Sequence, residues 1–205
     1  MRGPATAKLH NAYQSLIYMP LIFQLKNLID MDNFHELIIN RRSIRKYTEQ
    51  PIDPEHVKLI LEAGLLAPSS KSGRSWQFIV VEDKEMLKHL GECKSNYATS
   101  IARAPLAIVV AADPTKSDAW IEDASVAATF MQLQAADLGL GSCWVEVRDR
   151  YRDDGVSAEE YVQSALGMPD TMPVVCIISI GYKDEERRPL DPAKALWENV
   201  HIGKW

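Results

Sequence analysis

Apolar and polar residues follow two different periods along the chain, and the change from one period to the other marks the predicted elements. Two uninterrupted apolar runs, Leu106 to Ala112 and Val174 to Gly181, predict strands that are covered on both faces. The β-branched and aromatic run from Trp76 to Val81 and the segment from Leu140 to Val147 predict two more strands. The sequence therefore predicts a sheet of about four strands.

Helical periodicity fills the intervals between these strands. Asp53 followed by Pro54 predicts the start of a helix with one apolar stripe. The longest helical pattern extends from Asp118 to Leu138, where Gly139 can take the left-handed conformation that ends many helices. Shorter helices are predicted after Asp32 and at residues 84–91, 95–103 and 158–166. Helices that flank such a sheet predict an α/β or α+β layered fold.

The two ends of the chain depart from this pattern. Residues 1–30 are interpreted as an N-terminal extension, because their apolar stretch is broken by polar residues and is too short to cross a bilayer. It is not followed by the small-residue cleavage site of a secretory signal. We expect residues 31–205 to form the folded domain. Residues 190–205 carry too much apolar surface to remain uncovered, so we expect this tail to dock on another subunit.

Composition and charge exclude several classes of protein. The 205 residues are 46% hydrophobic and 25% charged, which is typical of a globular protein and not of a disordered or fibrous one. The net charge of -5 provides no broad basic field, so we expect no nucleic-acid partner. We expect no membrane partner either, because the apolar stretch near the N-terminus is too short and too interrupted to cross a bilayer. Cys93, Cys143 and Cys176 are too far apart in sequence for a C-x-x-C pair, which indicates a reducing, cytoplasmic setting.

Several common catalytic motifs are missing from the sequence. It contains no G-x-G-x-x-G fingerprint, no P-loop and no G-x-S-x-G nucleophile elbow. Its five histidines do not show the spacing of metal ligands, so neither a metal site nor a catalytic side-chain nucleophile is expected. The remaining possibility is a phosphate-bearing organic cofactor that carries the chemistry, while the protein binds and orients it.

Two cationic clusters are candidates for binding that phosphate. The first is Arg41-Arg42-Ser43-Ile44-Arg45-Lys46, and the second is Arg187-Arg188, directly after the last predicted strand. Guanidinium groups match phosphate oxygens bidentately, and a serine hydroxyl adds a further donor. A solvated surface turn is the alternative for either cluster alone. Two clusters that are distant in sequence suit one doubly charged phosphate, which favours the functional interpretation.

Two predicted loops could approach a flat polar ligand. Residues 67–76 contain four serine hydroxyls, two cations and a tryptophan. Residues 139–144 include two glycines, which allow a ligand to come close to the backbone. Each loop alone is also explained without a ligand, the first as an ordinary turn and the second as the end of a helix.

Taken together, these segments resemble the short bacterial form of the nitroreductase family of FMN-dependent oxidoreductases. The resemblance covers about residues 31–205 and rests on the order of Arg41 to Arg45, Ala67 to Ser70 before Trp76, Leu138 to Trp144, Gly181-Tyr182 and Val200 to Trp205. It implies an α+β, three-layer sandwich with a central mixed sheet of four to five strands. It also implies a homodimer that binds FMN at the subunit interface, with NAD(P)H as electron donor and a small-molecule acceptor.

The resemblance also assigns cofactor contacts to particular residues. Arg41 and Ser43 would hold the phosphate, and Arg187 or Arg188 would close over it. Arg45 would face the pyrimidine edge of the flavin, where a cation stabilises negative charge on the ring. The complete set of implied cofactor-binding residues is Arg41, Arg42, Ser43, Arg45, Pro68, Ser69, Ser70, Ser72, Arg74, Trp144, Val145, Glu146, Arg187 and Arg188. Pro68, Ser69 and Ser70 would come from the partner subunit, and the backbone of residues 144–146 would run beside the reactive N5 edge.

The chain departs from the family pattern between the paired serines and Trp76. The family usually has an Asn, a Gln or Arg, and a Pro there, whereas this chain has Ser72, Arg74 and Ser75.

Two functions remain open. The first is an enzyme that passes electrons from NAD(P)H to a nitroaromatic, quinone or similar conjugated acceptor by a ping-pong mechanism. The second is a non-catalytic flavin-binding protein that sequesters or senses the cofactor.

Overall fold

Four strands form the centre of the molecule. They are β1 (Trp76–Val81), β2 (Leu106–Ala112), β3 (Gly141–Glu146) and β4 (Val174–Gly181), and they pair in the order β1-β2-β4-β3. The computed structural model describes residues 34–96 and 98–205. The predicted N-terminal extension, residues 1–30, lies outside these ranges. The bounds of β1, β2 and β4 agree with the predicted strands, because each is a β-branched or uninterrupted apolar run.

The three strand pairs are all antiparallel. The expected mixed sheet is therefore wrong for these four strands, and the one parallel pairing within the described ranges is a single bridge between Ser43 and Ser142. Every residue of β2 and β4 is buried. This burial follows from their central positions, where both faces of each strand are covered by helices.

Helices occupy both sides of the sheet and the ends of the chain. They are α1 (residues 34–40), α2 (Pro54–Leu65), α3 (Lys84–Leu90), α4 (Thr99–Arg103), α5 (Trp120–Asp137) and α6 (Ala158–Leu166). Short 3-10 turns occur at Ser70–Ser72, Pro192–Lys194 and Trp197–Asn199. The helix predicted at residues 95–103 is shorter than expected, since α4 begins at Thr99.

Local side-chain chemistry explains where most helices begin and end. The carboxylate of Asp53 accepts the backbone N–H of Glu55 and caps α2, and Asp83 caps α3 through Met86. Ser157 caps α6 in the same way through Glu160. Gly139 has a φ of 77°, so it supplies the left-handed backbone predicted after α5.

The helices and the sheet form three layers. One face of the sheet packs on α2 and α5 through Ile108, Ile178 and Met131. The opposite face packs on α3, α4 and α6 through residues such as Val109 and Ile177. The α+β class and the three-layer arrangement are therefore confirmed.

The described residues form two compact units, one of residues 41–188 and one of residues 34–40 with 189–205. In the second unit, the backbone N–H of Leu190 donates to the carbonyl of Ile39. Several of its apolar side chains are exposed, with Leu196 at 62% and Trp205 at 98%.

None of the helices in the described ranges combines the length and the apolar character needed to cross a membrane. All three cysteines are buried and free.

Candidate functional site

The first cationic cluster lies alongside the start of β3. Ser43 bridges Ser142, and the backbone N–H of Ile44 donates to the carbonyl of Ser142 at 2.9 Å. The segment therefore runs parallel to this edge strand as a short extension of the sheet. Ser142 is supported from behind by α5, because Nε2 of the buried Gln132 lies 3.3 Å from its Oγ.

Gly141 allows this close approach. A Cβ atom at Gly141 would lie 2.7 Å from Cγ2 of Ile44 and 2.8 Å from its Cβ. Ile44 itself is 3% exposed, so its side chain fills the space that a larger residue at position 141 would need. The absence of a side chain at Gly141 therefore allows the segment that carries the arginines to pack against β3.

The continuation of the same segment contacts the chain that follows β4. Tyr47 forms an antiparallel bridge with Lys183, and the N–H of Thr48 donates to the carbonyl of Tyr182 at 2.9 Å. The Tyr47 hydroxyl donates to the backbone of the buried core, where burial raises its pKa well above the usual range. The residues after β4 are thus held against the segment that carries the first cluster.

This pairing brings the two predicted cationic clusters together. The Arg42 guanidinium donates to the carbonyl of Arg188, across 146 positions of sequence. Glu185 Oε1 accepts the backbone N–H of Arg45 at 2.6 Å and that of Lys46 at 3.3 Å. Its other oxygen accepts Arg187 at 2.7 Å. Arg41, Arg42, Ser43 and Arg45 therefore share one region with Arg187 and Arg188, as their residue chemistry predicts.

Glu185 is the anion of this region. Its side chain is 13% exposed. Burial raises the pKa of Glu185, but the hydrogen bond from Arg45 and the charge of Arg187 outweigh burial and leave the pKa below its ordinary value. The carboxylate is therefore ionised at neutral pH.

The predicted residues of β3 lie farther along the same edge strand. Trp144 and Glu146 point to one face, where the indole N–H donates to Glu146 Oε2 at 2.8 Å. Val145 is 2% exposed and belongs to the core of the opposite face. The Lys94 ammonium donates to the carbonyl of Glu146 at 3.0 Å, and burial lowers the pKa of this lysine. Hydrogen bonds from Trp144 and Lys94 thus hold Glu146 at the end of β3.

The serine-rich loop is held in place by α5. Asp123 is 4% exposed, and its two oxygens accept the N–H of Ser70 and the hydroxyl of Ser117, each at 2.7 Å. The backbone N–H of Arg74 donates to Ser69 Oγ at 3.1 Å. These contacts give the loop a defined shape although Pro68, Lys71, Ser72 and Arg74 are exposed.

Three residues of this loop have an unfavourable backbone. Lys71, Ser72 and Arg74 have φ values of 50°, 55° and 45°, in the left-handed region that costs non-glycine residues energy. Strained residues of this kind cluster at functional sites, where the surrounding structure holds them. The loop conformation therefore supports a role beyond that of a connection.

The loop does not join the other predicted site residues within one chain. It precedes β1, which is at the opposite edge of the sheet from β3, and it lies at the opposite end from Ser43 and Gly141. Three strand spacings alone separate these edges by about 14 Å. Pro68, Ser69, Ser70, Ser72 and Arg74 are therefore apart from the arginine clusters.

Sequence reasoning missed three residues that organise these segments. Glu185 links the two cationic clusters, Asp123 holds the serine-rich loop, and Gln132 supports Ser142. Glu185 lies in an acidic run that resembles an ordinary solvated turn, so no local signal distinguishes it. Asp123 is a polar residue on the otherwise apolar face of a predicted helix, and this mismatch could have indicated a buried partner.

The fold and the converging arginines define an α+β layered protein with a phosphate-binding edge as its candidate site. The sequence profile of the nitroreductase family matches residues 38–98 and 92–182. Since these ranges cover most of the chain, the protein belongs to the nitroreductase family.

Individual relatives agree with this membership. An Archaeoglobus fulgidus protein, whose name places it among NADH dehydrogenases/NAD(P)H nitroreductases, is 37% identical over 180 residues, which are 85% of this chain and 100% of the relative. An NADPH-flavin oxidoreductase of Vibrio harveyi is 28% identical over 81% of this chain and 73% of its own length. The solved structure of an FMN-dependent nitroreductase from Clostridium difficile R20291 is 48% identical, covers 82% of this chain and 98% of its own, and has a TM-score of 0.80.

Proposed function

We propose that this protein is an FMN-dependent oxidoreductase that takes electrons from NAD(P)H and passes them to a nitroaromatic, quinone or similar conjugated acceptor. The observation that carries the proposal is the meeting of the two arginine clusters at the start of an edge strand. The names of its relatives, which include an FMN-dependent nitroreductase and an NADPH-flavin oxidoreductase, support the cofactor and the electron donor.

The residues at this edge fit a phosphate-bearing flavin. Within the described part of the chain, the guanidinium groups of Arg41, Arg45 and Arg188 form no ion pair, while Arg187 is paired with Glu185. Guanidinium groups without ion pairs, together with a serine hydroxyl such as that of Ser43, are the donor set that binds a phosphate dianion well. In this proposal Arg41, Ser43 and Arg188 bind the phosphate, and Arg42 holds the backbone of Arg188 in place.

The remaining residues would bind and orient the ring system. When bound, FMN supplies the chemistry of accepting hydride and releasing electrons, so the protein needs no nucleophile of its own. The positive charge of Arg45 would favour added negative charge on the pyrimidine side. Residues 144–146 of β3 would offer backbone groups to the ring, with Glu146 held by Trp144 and Lys94.

The separated loop supports a site shared by two chains. Pro68, Ser69, Ser70, Ser72 and Arg74 lie at the opposite edge of the sheet, and at the opposite end of its strands, from the arginine clusters. We infer a homodimer in which each loop reaches the cofactor bound by its partner. The apolar tail, residues 190–205, would cover the partner's surface, because its exposed side chains then leave water.

Anaerobic mixing with NADH or NADPH tests the proposal. Rapid bleaching of the flavin absorbance is expected, because the proposed donor reduces the bound cofactor directly. A flavin that is reduced by dithionite and not by either nicotinamide would instead support the alternative, a flavin-binding protein without turnover. Purification of the full-length protein without any flavin, and without binding of added FMN, would reject both functions.

Steady-state kinetics test the order of the reaction. A cofactor enclosed by residues 41–46 of one chain and the serine-rich loop of the other leaves one open face, so donor and acceptor would bind in turn. We expect parallel double-reciprocal lines, the pattern of a ping-pong mechanism. Intersecting lines would show that both substrates bind together.

The buried free cysteines are consistent with a reducing, cytoplasmic setting, which we propose on that basis.

A further inference from the structure

Glu185 connects the two segments that are proposed to hold the cofactor. It accepts the backbone N–H groups of Arg45 and Lys46 through one oxygen and the side chain of Arg187 through the other. Arg45 and Lys46 are 140 and 139 positions away from Glu185 in sequence, whereas Arg187 is its near neighbour in the chain. No other carboxylate in the described ranges joins the two arginine clusters.

The charge of this carboxylate also changes the site. Arg187 is 44% exposed and its guanidinium is neutralised by Glu185, so the clusters present one positive charge fewer than their sequences contain. The same negative charge lies next to Arg45, the residue proposed to favour electron density on the flavin. The Glu185 carboxylate therefore acts in two ways, by accepting hydrogen bonds and by its negative charge. A substitution that keeps an acceptor oxygen and removes the charge separates these two effects.

We propose that Glu185 is a positioning residue that aligns the two cationic segments and, through its negative charge, lowers both the affinity for FMN and the midpoint potential of the bound flavin. The inference rests on the proposed function. An anion beside the site repels the phosphate dianion and opposes the negative charge that the flavin gains on reduction. In this proposal the Glu185 charge weakens FMN binding, and it also makes the reduced flavin a stronger electron donor.

Glu185→Gln tests the charge while keeping an oxygen that accepts the backbone N–H groups. We expect a more positive midpoint potential in the flavin-loaded protein and FMN binding about three- to tenfold tighter when the flavin-free full-length protein is titrated with FMN. Glu186→Gln is the matched control, because Glu186 is the next residue, is exposed, and its side chain forms no hydrogen bond or ion pair with either arginine cluster among the described residues. We expect its potential and its FMN affinity to equal those of the wild type.

Glu185→Asp keeps the charge and shortens the side chain. We expect it to retain the wild-type potential, and it provides the comparison if Glu185→Gln does not fold. Equal potentials in the wild type and Glu185→Gln, an equal shift in Glu186→Gln, or a positive shift in Glu185→Asp would each overturn the inference. If the wild type binds no FMN, the proposed function itself fails, and this result is distinct from the others.

Discussion

Arg41 is the residue whose proposed role, binding the FMN phosphate, depends most directly on its charge. It is half-buried beside the bridge of Ser43 to Ser142, and it forms no ion pair with any described residue. A guanidinium held in this way can give its hydrogen bonds to a phosphate without first breaking a salt bridge.

We expect Arg41→Ala to weaken FMN binding by one to two orders of magnitude. The loss of one charge-assisted contact costs about 1.5–3 kcal/mol. Titration of the flavin-free protein with FMN measures the change. Lys58→Ala is the control, because it removes one positive charge from an exposed position on α2. Unchanged affinity in Arg41→Ala, or equal weakening in the control, would remove Arg41 from the phosphate site.

At the scale of single elements, α5 connects the core to the serine-rich loop. Its N-terminal turn carries Asp123, which faces the loop, while Ala128 and Met131 on the same helix pack on the sheet. Through Asp123, a helix that is packed in the core therefore holds a loop that contains three strained residues.

We expect Asp123→Ala to destabilise the protein by about 1–3 kcal/mol, because the Ser70 N–H and the Ser117 hydroxyl lose their buried acceptor. Urea unfolding measures the loss, and faster hydrogen exchange at residues 69–75 localises it. We also expect weaker FMN binding, since the loop loses the shape proposed to contact the partner's cofactor. Asp137→Ala, at the exposed end of the same helix, is the control. Equal stability of the two variants would show that Asp123 does not hold the loop.

At the scale of the whole molecule, the positions of β1 and β3 are the basis of the proposed dimer. The arginine clusters and the serine-rich loop lie at opposite edges of the sheet. A shared site then requires a dimer, and each dimer would contain two such sites related by symmetry.

Mixed dimers test this arrangement. Arg41→Ala and Asp123→Ala damage different halves of the proposed site, so each homodimer has two damaged sites. A hybrid of the two variants should contain one site with both changes and one with neither. We expect the hybrid to recover one FMN site per dimer with wild-type affinity, measured by titration. Hybrids that bind no better than the parent variants would contradict a site shared between chains.

Removal of residues 190–205 provides a second measurement of the dimer. We expect sedimentation to show monomer or aggregate and the protein to lose flavin, because the apolar surface covered by the tail becomes exposed. Full-length protein that sediments as a monomer and still holds FMN would exclude both the docking role of the tail and the shared site.

The sequence by itself determined the elements and the residue types of the candidate site. Uninterrupted apolar runs gave β2 and β4 their bounds, and capping residues such as Asp53 and Ser157 marked the helix starts, because these signals act over a few neighbouring residues. The arginine clusters were recognisable for the same reason, since phosphate binding depends on side-chain type.

Only the tertiary structure decided how these parts meet. It placed Glu185 between Arg45 and Arg187, buried Asp123 against the serine-rich loop, and set β1 and β3 at opposite edges of an antiparallel sheet. The contacts of Glu185 with Arg45 and of Asp123 with Ser70 join residues that are distant along the chain. The positions of β1 and β3 depend on which strands become neighbours. Strand order and long-range packing follow from the burial of the whole core, and no local period in the sequence records them.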